Sequence, residues 1–295
     1  MAGWQDFTET RVPVRGGELA VVRWAAREPG APVVMLVHGI TANALSWAAT
    51  AEEVAGRAEL IAVDLRGRAG SREIEGPWGI DQDVADLVAV LDALELDRVV
   101  LAGHSLGAFV AAAAAAASPE RVKRLVAVDG GLGFPLPAGA DPDAVLEAVV
   151  GPAIRKLSMT FADEEAYLDF HRVHPAFQGH WTPQLTAYLT RDTRKLPDGS
   201  VVSSCREEAI RADGKQTLID EKLRTNINGL SCEVDFLYAA RGLLNEPQAL
   251  YDESRLTLGG LDPARVRVTF VPDTNHYTIL APGVGVQAVV RALLG

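Results

Sequence analysis

Short runs of mainly apolar residues recur along this chain, and they restrict its fold more than any other feature. They span residues 32–37, 60–63, 99–102, 125–128, 234–238 and 266–271, after a weakly alternating run at 18–24. Such runs are typical of strands buried on both faces of a parallel sheet. Helical patterns lie between most of them, as at 81–94, where apolar residues recur at spacings of three and four. The alternation predicts an α/β fold, with a mostly parallel, doubly wound sheet.

The alternation stops between residues 132 and 229. We find no convincing strand there, but we find helix starts at Asp141, which precedes a proline, and at Asp163. Ligands of open α/β sheets bind beyond the carboxyl ends of the strands, so a helical insertion at that edge would shape a pocket. We therefore expect a core formed by residues 1–131 and 230–295, and an α-helical cap formed by residues 132–229.

Charge and composition limit the partners. The chain has 28 Lys and Arg against 39 Asp and Glu, a net charge of −11, which disfavours binding to nucleic acid or to an anionic membrane through a basic patch. No apolar run reaches transmembrane length, and the first residues lack the pattern of a secretory signal. The two cysteines, Cys205 and Cys232, are typical of reduced packing residues. We expect a cytoplasmic protein with a small-molecule substrate. The sequence does not decide between a monomer and a homodimer.

The sequence Gly-His-Ser-Leu-Gly at 103–107 follows one apolar run and precedes an alanine-rich helical stretch. A serine hydroxyl is a weak nucleophile, so catalysis requires it exposed on a sharp turn beside a base and N–H donors. Flanking glycines leave room for that turn. The pattern is common by itself, so Ser105 becomes a candidate nucleophile only if the remaining groups are present.

Four motifs in order resemble the α/β-hydrolase superfamily, in the group with a helical cap after the sixth strand. They are His-Gly-Ile at 38–40, Asp-Leu-Arg-Gly-Arg-Ala-Gly-Ser at 64–71, the 103–107 turn and Asn-His-Tyr at 275–277. Ala69 replaces the usual glycine of the second motif. The resemblance covers almost the whole chain and implies a serine hydrolase.

The resemblance implies a role for each group. Ser105 would attack a carbonyl, and His276 would take its proton and return it to the leaving group. The N–H groups of Ile40 and Leu106 would form the oxyanion hole, in which one donor is worth about 3 kcal/mol. No cofactor or metal is expected, because no carboxylate or histidine set completes His171 and His174 as a metal site. We expect His38 and His104 to brace loops by hydrogen bonding.

The acid of the triad has two candidates. Most of the family carries it after the strand that follows the cap, where this chain has Asn245, and asparagine cannot supply the charge that stabilises a histidinium. Glu246 is adjacent, whereas Asp129 ends the run at 125–128, from which some members of the superfamily deliver the acid. We prefer Asp129 and keep Glu246 as the alternative.

The preferred function is hydrolysis of a carboxylic ester or lactone through an acyl-enzyme. The alternative is hydrolysis of a C–C bond in a β-diketone or vinylogous acid, and the third is a non-catalytic ligand-binding protein. Large side chains in the cap suit a small to medium apolar or aromatic substrate, although packing is the simpler role for each. They are Phe134, Met159, Phe161, Tyr167, Phe170, Phe177, Trp181 and Tyr188. The sequence does not indicate a strongly anionic substrate.

Overall fold

A computed structural model of the chain describes residues 3–136 and 138–295. The strands, numbered in chain order, are β1 (Thr8–Val14), β2 (Gly17–Trp24), β3 (Val33–Val37), β4 (Glu59–Val63), β5 (Val99–His104), β6 (Val122–Val128), β7 (Thr160–Phe161), β8 (Thr193–Lys195), β9 (Val201–Ser203), β10 (Glu233–Arg241) and β11 (Val266–Asn275). The α-helices are α1 (Ala48–Val54), α2 (Ile80–Ala93), α3 (Leu106–Ala117), α4 (Pro142–Leu157), α5 (Glu164–Arg172), α6 (Pro183–Arg191), α7 (Glu207–Ile219), α8 (Glu221–Thr225), α9 (Glu253–Leu258) and α10 (Val284–Leu294).

Eight strands form the central sheet, in the order β1-β2-β4-β3-β5-β6-β10-β11. The six from β4 to β11 are parallel, and β2 runs antiparallel to both of its neighbours. Alternate residues of each parallel strand enter two separate cores. Met35 and Val37 pack on one face with α2 and α3, whereas Val34 and Leu36 pack on the other with α1 and α10. The predicted doubly wound α/β sheet is confirmed.

Helix α3 lies against the middle of the sheet because its side chains are small. It contains seven consecutive alanines, and five of them, from 111 to 115, are buried. A Cβ atom on Gly107 would overlap the carbonyl oxygen of Val37 in β3. The absence of a side chain there lets the first turn of α3 approach the end of a neighbouring strand, which fixes where Ser105 lies.

Residues 132–229 connect β6 to β10 and contain α4 to α8. The predicted helix starts are confirmed, since the carboxylates of Asp141 and Asp163 accept hydrogen bonds from the first turns of α4 and α5. The expectation of no strand in this segment was wrong, because β7, β9 and β8 form a three-stranded antiparallel sheet. Each has only two or three residues, too few for a recognisable alternating pattern.

The described residues include no helix with both the length and the apolar character needed to cross a membrane. Two cysteines are present as free thiols, Cys205 buried and Cys232 half-buried.

Candidate active site

Ser105 occupies a strained turn between β5 and α3. Its backbone has φ 55° and ψ −122°, a conformation that residues with a side chain rarely adopt. The turn is held by the Ser105 N–H, which donates to the Val128 carbonyl at the end of β6, 2.9 Å away. A Cβ atom on Gly103 or Gly130 would overlap backbone atoms of this turn. Close backbone contacts, rather than hydrogen bonds of its own side chain, therefore position Ser105.

His276 follows β11, and its ring lies beside the end of β6. Its Nδ1 is 2.7 Å from Oδ2 of Asp129, and the two residues are only 4% and 1% exposed. The other oxygen of Asp129 accepts from the Ala239 N–H at 3.0 Å, so β10 holds the carboxylate in place. An ionised carboxylate only accepts, so Nδ1 carries the proton and Nε2 is left with its lone pair. This is the tautomer that a general base requires.

Glu246 lies elsewhere. Its side chain is exposed, and one carboxylate oxygen accepts from the Leu244 N–H at 2.7 Å within its own loop. Asn245 adopts φ 62° and its side-chain oxygen accepts from Arg241 at 3.0 Å. Among the described residues, Asp129 is the one carboxylate hydrogen-bonded to His276. The hydrogen-bond geometry thus favours Asp129 over Glu246 as the candidate acid.

The two expected oxyanion donors belong to the turn after Ser105 and to the loop after β3. Leu106 begins α3, where a helix has no internal partner for its first N–H groups. Ile40 follows Gly39, and a Cβ atom built on Gly39 would lie 3.3 Å from the Cβ of Ser105. Within residues 3–136 and 138–295, neither N–H has a hydrogen-bond partner. Both donors are therefore available to a substrate oxygen.

Two neutral histidines brace these loops. Burial lowers the pKa of His38 to about 4; its Nε2 accepts from the Leu65 N–H at 2.9 Å and its Nδ1 donates to the Gly39 carbonyl at 2.7 Å. Burial also lowers the pKa of His104, whose Nε2 donates to the His276 carbonyl at 2.8 Å. The expectation that both histidines brace loops is confirmed, and His104 positions the backbone of His276.

A cavity of about 500 Å³ opens above Ser105 and His276. The core contributes residues from the 39–49 loop and from the loops after β10 and β11, and the insertion contributes α4, α5 and α6. Of the eight large side chains singled out in the sequence, Phe170, Phe177 and Tyr188 line the cavity. Others pack instead, as Phe161 and Tyr167 do in a small apolar cluster of the insertion. The cavity can therefore hold a small, partly apolar molecule.

His171 and His174 also line the cavity, but each ring has another partner. Nδ1 of His171 donates to the Tyr167 carbonyl at 2.9 Å, and Nδ1 of His174 accepts from the Ala176 N–H at 3.2 Å. Burial lowers the pKa of His171 to about 4. The described part of the chain contains no group of three or more His, Cys, Asp or Glu side chains that could hold a metal ion.

Two functional candidates were not found from the sequence, namely Arg68 and Lys156. Lys156 lies in the last turn of α4 and reaches the cavity, and Arg68 lies under the oxyanion loop. A basic residue in the last turn of a helix is usually solvated and interacts favourably with the helix dipole. No local pattern therefore distinguishes Lys156 from such a surface residue. Its hydrogen bond to Asp192, a residue far along the chain, does distinguish it.

Comparison with known proteins supports the same fold. A family model for the alpha/beta hydrolase fold matches residues 32–280. N-formylmaleamate deformylase from Pseudomonas putida is 33% identical over 157 residues, 49% of this chain and 58% of the relative. The 2-hydroxy-6-oxo-2,4-heptadienoate hydrolase from Pseudomonas putida is 37% identical over 162 residues, 50% of this chain and 58% of the relative. The chain thus spans less than two thirds of the length of these relatives.

Among solved structures, that of E-2-(acetamidomethylene)succinate hydrolase superposes with a TM-score of 0.79 at 20% identity, covering 98% of this chain and 100% of the other. At that identity the likeness shows the fold. The family model, in contrast, extends from β3 through the Ser105 turn to the His276 loop. This chain belongs to the α/β-hydrolase fold family.

Proposed function

We propose that this protein hydrolyses a C–C bond, or an amide-type C–N bond, next to a carbonyl group in a small substrate. The observation that carries the proposal is the pairing of Asp129 with His276 beside a strained Ser105. The bond type is supported by the relatives, one named a deformylase and the other a hydrolase of a 6-oxo-dienoate.

The geometry supports a two-step reaction. His276 Nε2 takes the proton of Ser105 as Oγ attacks the carbonyl carbon, and the N–H groups of Ile40 and Leu106 stabilise the oxyanion. The C–C or C–N bond then breaks, and the leaving carbon or nitrogen receives the proton from His276. Water next attacks the acyl-enzyme with His276 as base, which releases the acid and restores Ser105.

A carbon leaving group requires stabilisation of its electron pair. That is available when a second carbonyl, direct or conjugated, can accept the pair as an enolate, which is the case in a β-diketone or a vinylogous acid. An amide nitrogen needs only the proton from His276. The same three side chains therefore serve both bond types, and the substrate decides which one breaks.

A carboxylic ester or lactone is the second candidate, because the same acyl-enzyme route cleaves it and the cavity is largely apolar. In either case we propose that residues 132–229 act as the cap of the site. Fourteen of its side chains line the cavity over Ser105, and they set the size and shape of the substrate.

Reaction with a fluorophosphonate probe tests the nucleophile. We expect Ser105 to be labelled, and Ser105→Ala to abolish labelling. Asp129→Asn should slow labelling strongly, because the wrong histidine tautomer cannot accept the serine proton. Folded wild-type protein that stays unlabelled would support the ligand-binding alternative.

Turnover of three substrate types tests which kind of bond the protein cleaves. 2-Hydroxy-6-oxo-2,4-heptadienoate, N-formylmaleamate and 4-nitrophenyl acetate are compared by kcat/KM, with Ser105→Ala as the control in each assay. We expect one of the first two to give the highest value, and a dienoate substrate to show an absorbing enolate intermediate. A kcat/KM at least 100-fold higher for the aryl ester would instead establish the ester reading.

A further inference from the structure

We propose that Lys156 binds a carboxylate of the substrate, so that the substrates of this site are short-chain carboxylic acids with the scissile carbonyl farther along the chain. This inference rests on the proposed hydrolysis at Ser105 and names the class of molecule that the cavity selects. Lys156, in the last turn of α4, is one of the residues that line the cavity, and after burial its charge contributes to lowering the pKa of two other lining residues, His171 and His174.

The ammonium group has one donor left for a ligand. Lys156 is 8% exposed, and its Nζ donates to Oδ2 of Asp192 at 2.8 Å and to the Tyr167 hydroxyl at 3.0 Å. An ammonium carries three N–H bonds. An unused donor on a desolvated cation is costly unless water or a ligand accepts it, and the cavity is the place from which an acceptor can approach.

Asp192 shares its negative charge among several other donors besides Lys156. Its Oδ1 accepts from the hydroxyls of Ser203 at 2.9 Å and Ser204 at 3.0 Å, and its Oδ2 accepts from Tyr167. Among the residues described, Lys156 lines the cavity while Asp192, Tyr167 and the two serines stand behind it. Lys156 is therefore the member of this group that a ligand in the cavity can contact, and Asp192 keeps it protonated.

The rest of the cavity wall carries little opposing charge. Lys156 is the one Lys or Arg side chain among the described lining residues, and burial lowers the pKa of three of the lining histidines, His104, His171 and His174. Glu246, the one described acidic side chain of the lining, is bonded within its own exposed loop. One fixed cation in a largely apolar cavity is how a pocket orients a ligand with a single negative end.

The sequence did not indicate a strongly anionic substrate, and the proposed role of Lys156 revises that expectation. A charge-assisted hydrogen bond discriminates by about 10- to 100-fold against a ligand that lacks the charge. The names of the two relatives contain a maleamate and a heptadienoate, which are carboxylates and agree with this class.

Matched esters test the inference. The 4-nitrophenyl hemiesters of succinate, glutarate and adipate are compared with neutral 4-nitrophenyl esters of the same acyl length. We expect kcat/KM for the best hemiester to exceed that of its neutral match by about 10- to 100-fold. A ratio near one at all three lengths would overturn the role of Lys156, while turnover itself would leave the proposed function intact.

Two variants separate charge from structure. Tyr167→Phe removes one hydrogen-bond partner of Lys156 but keeps both charges, and it should preserve the preference for the hemiester. The double variant K156M/D192N removes both charges, so no unpaired ion is buried, and its ratio should fall to about one. Equal ratios in the two variants would show a structural role only.

A binding measurement decides the point without turnover. We expect glutarate or maleate to bind to S105A by calorimetry, at least tenfold more tightly than to S105A/K156M/D192N. Equal binding would contradict the inference even if no ester is hydrolysed.

Discussion

Arg68 donates a hydrogen bond from Nε to the carbonyl oxygen of Ile40, 3.1 Å away, and so holds the peptide that follows the expected oxyanion donor. Its guanidinium is fully buried and pairs with Asp213 of α7 at 2.6 Å. The Ile40 side chain packs against α4 and α7 as well. The insertion therefore supports the loop of Ile40 in two ways, directly through the Ile40 side chain and indirectly through the pair of Asp213 with Arg68.

We predict that the double variant R68M/D213N lowers kcat by about 10- to 100-fold with a much smaller change in KM, because a displaced oxyanion donor acts in the transition state. Removing both charges avoids leaving a buried ion unpaired. The matched control is R66M/D86N, which deletes a second buried pair whose arginine contacts Pro77 and Arg15 instead. Equal losses of kcat in the two variants would contradict the role of Arg68.

Asp129→Asn should reduce kcat by about 10³- to 10⁴-fold, since an amide that donates to His276 Nδ1 fixes the wrong tautomer. Glu246→Gln should cost less than about tenfold, because its carboxylate bonds to Leu244 rather than to His276. Steady-state kinetics on one substrate, with circular dichroism to verify folding, measures both. A larger loss for the glutamate variant would reverse the assignment.

Gly130→Ala should destabilise the fold by about 3 kcal/mol or more, because the added methyl group overlaps the backbone of Ser105. Urea denaturation gives the free energy of unfolding. Gly229→Ala is the control: the nearest atom to its new methyl group is 3.7 Å away, which is ordinary contact. Similar free energies of unfolding for the two variants would contradict the prediction, because the Ser105 turn would then relax around the added methyl group at little cost.

His171 makes stability depend on pH. Burial lowers its pKa to about 4 from an ordinary value of about 6.5, so between these values the unfolded chain binds a proton that the folded chain does not. The stability present above pH 6.5 is therefore lost as pH falls, at up to about 1.4 kcal/mol per pH unit. His171→Gln should show a shallower loss between pH 7.5 and 5 in urea denaturation, and a slope equal to wild type would refute this.

The parallel strands were predictable because each is buried on both faces and leaves a run of apolar residues in the sequence. Strand β1 was missed, since it is an edge strand with five exposed residues and a proline, and it pairs only with β2. The strands of the insertion were missed because strands this short carry no period. Burial on both faces therefore decides, more than length or pairing, whether a strand can be predicted from the sequence.

The candidate site was predictable where a motif fixes the backbone and not where side-chain direction decides. Ser105, Ile40 and Leu106 belong to turns with glycines at set spacings. Asp129 and Glu246 follow neighbouring strands, β6 and β10, so the sequence allows both near His276, and Asn245 gave only a preference for Asp129. Lys156 depends on Asp192, 36 residues away, and only the folded insertion brings the two together.

The position of Asp129, one residue beyond β6, divides the chain into two functional parts. The expected nucleophile, both oxyanion donors and the carboxylate beside His276 all precede residue 132, where the insertion starts. Most of the family carries the acid on the loop that corresponds to residues 242–248. In this chain Asp129 is bonded to His276, and Leu243 and Leu244 of that loop line the cavity. The residues proposed to react thus lie outside α4 to α6 and outside this loop, so exchanging these segments while retaining α7 with its Asp213 is expected to change the substrate and leave the reactive groups in place.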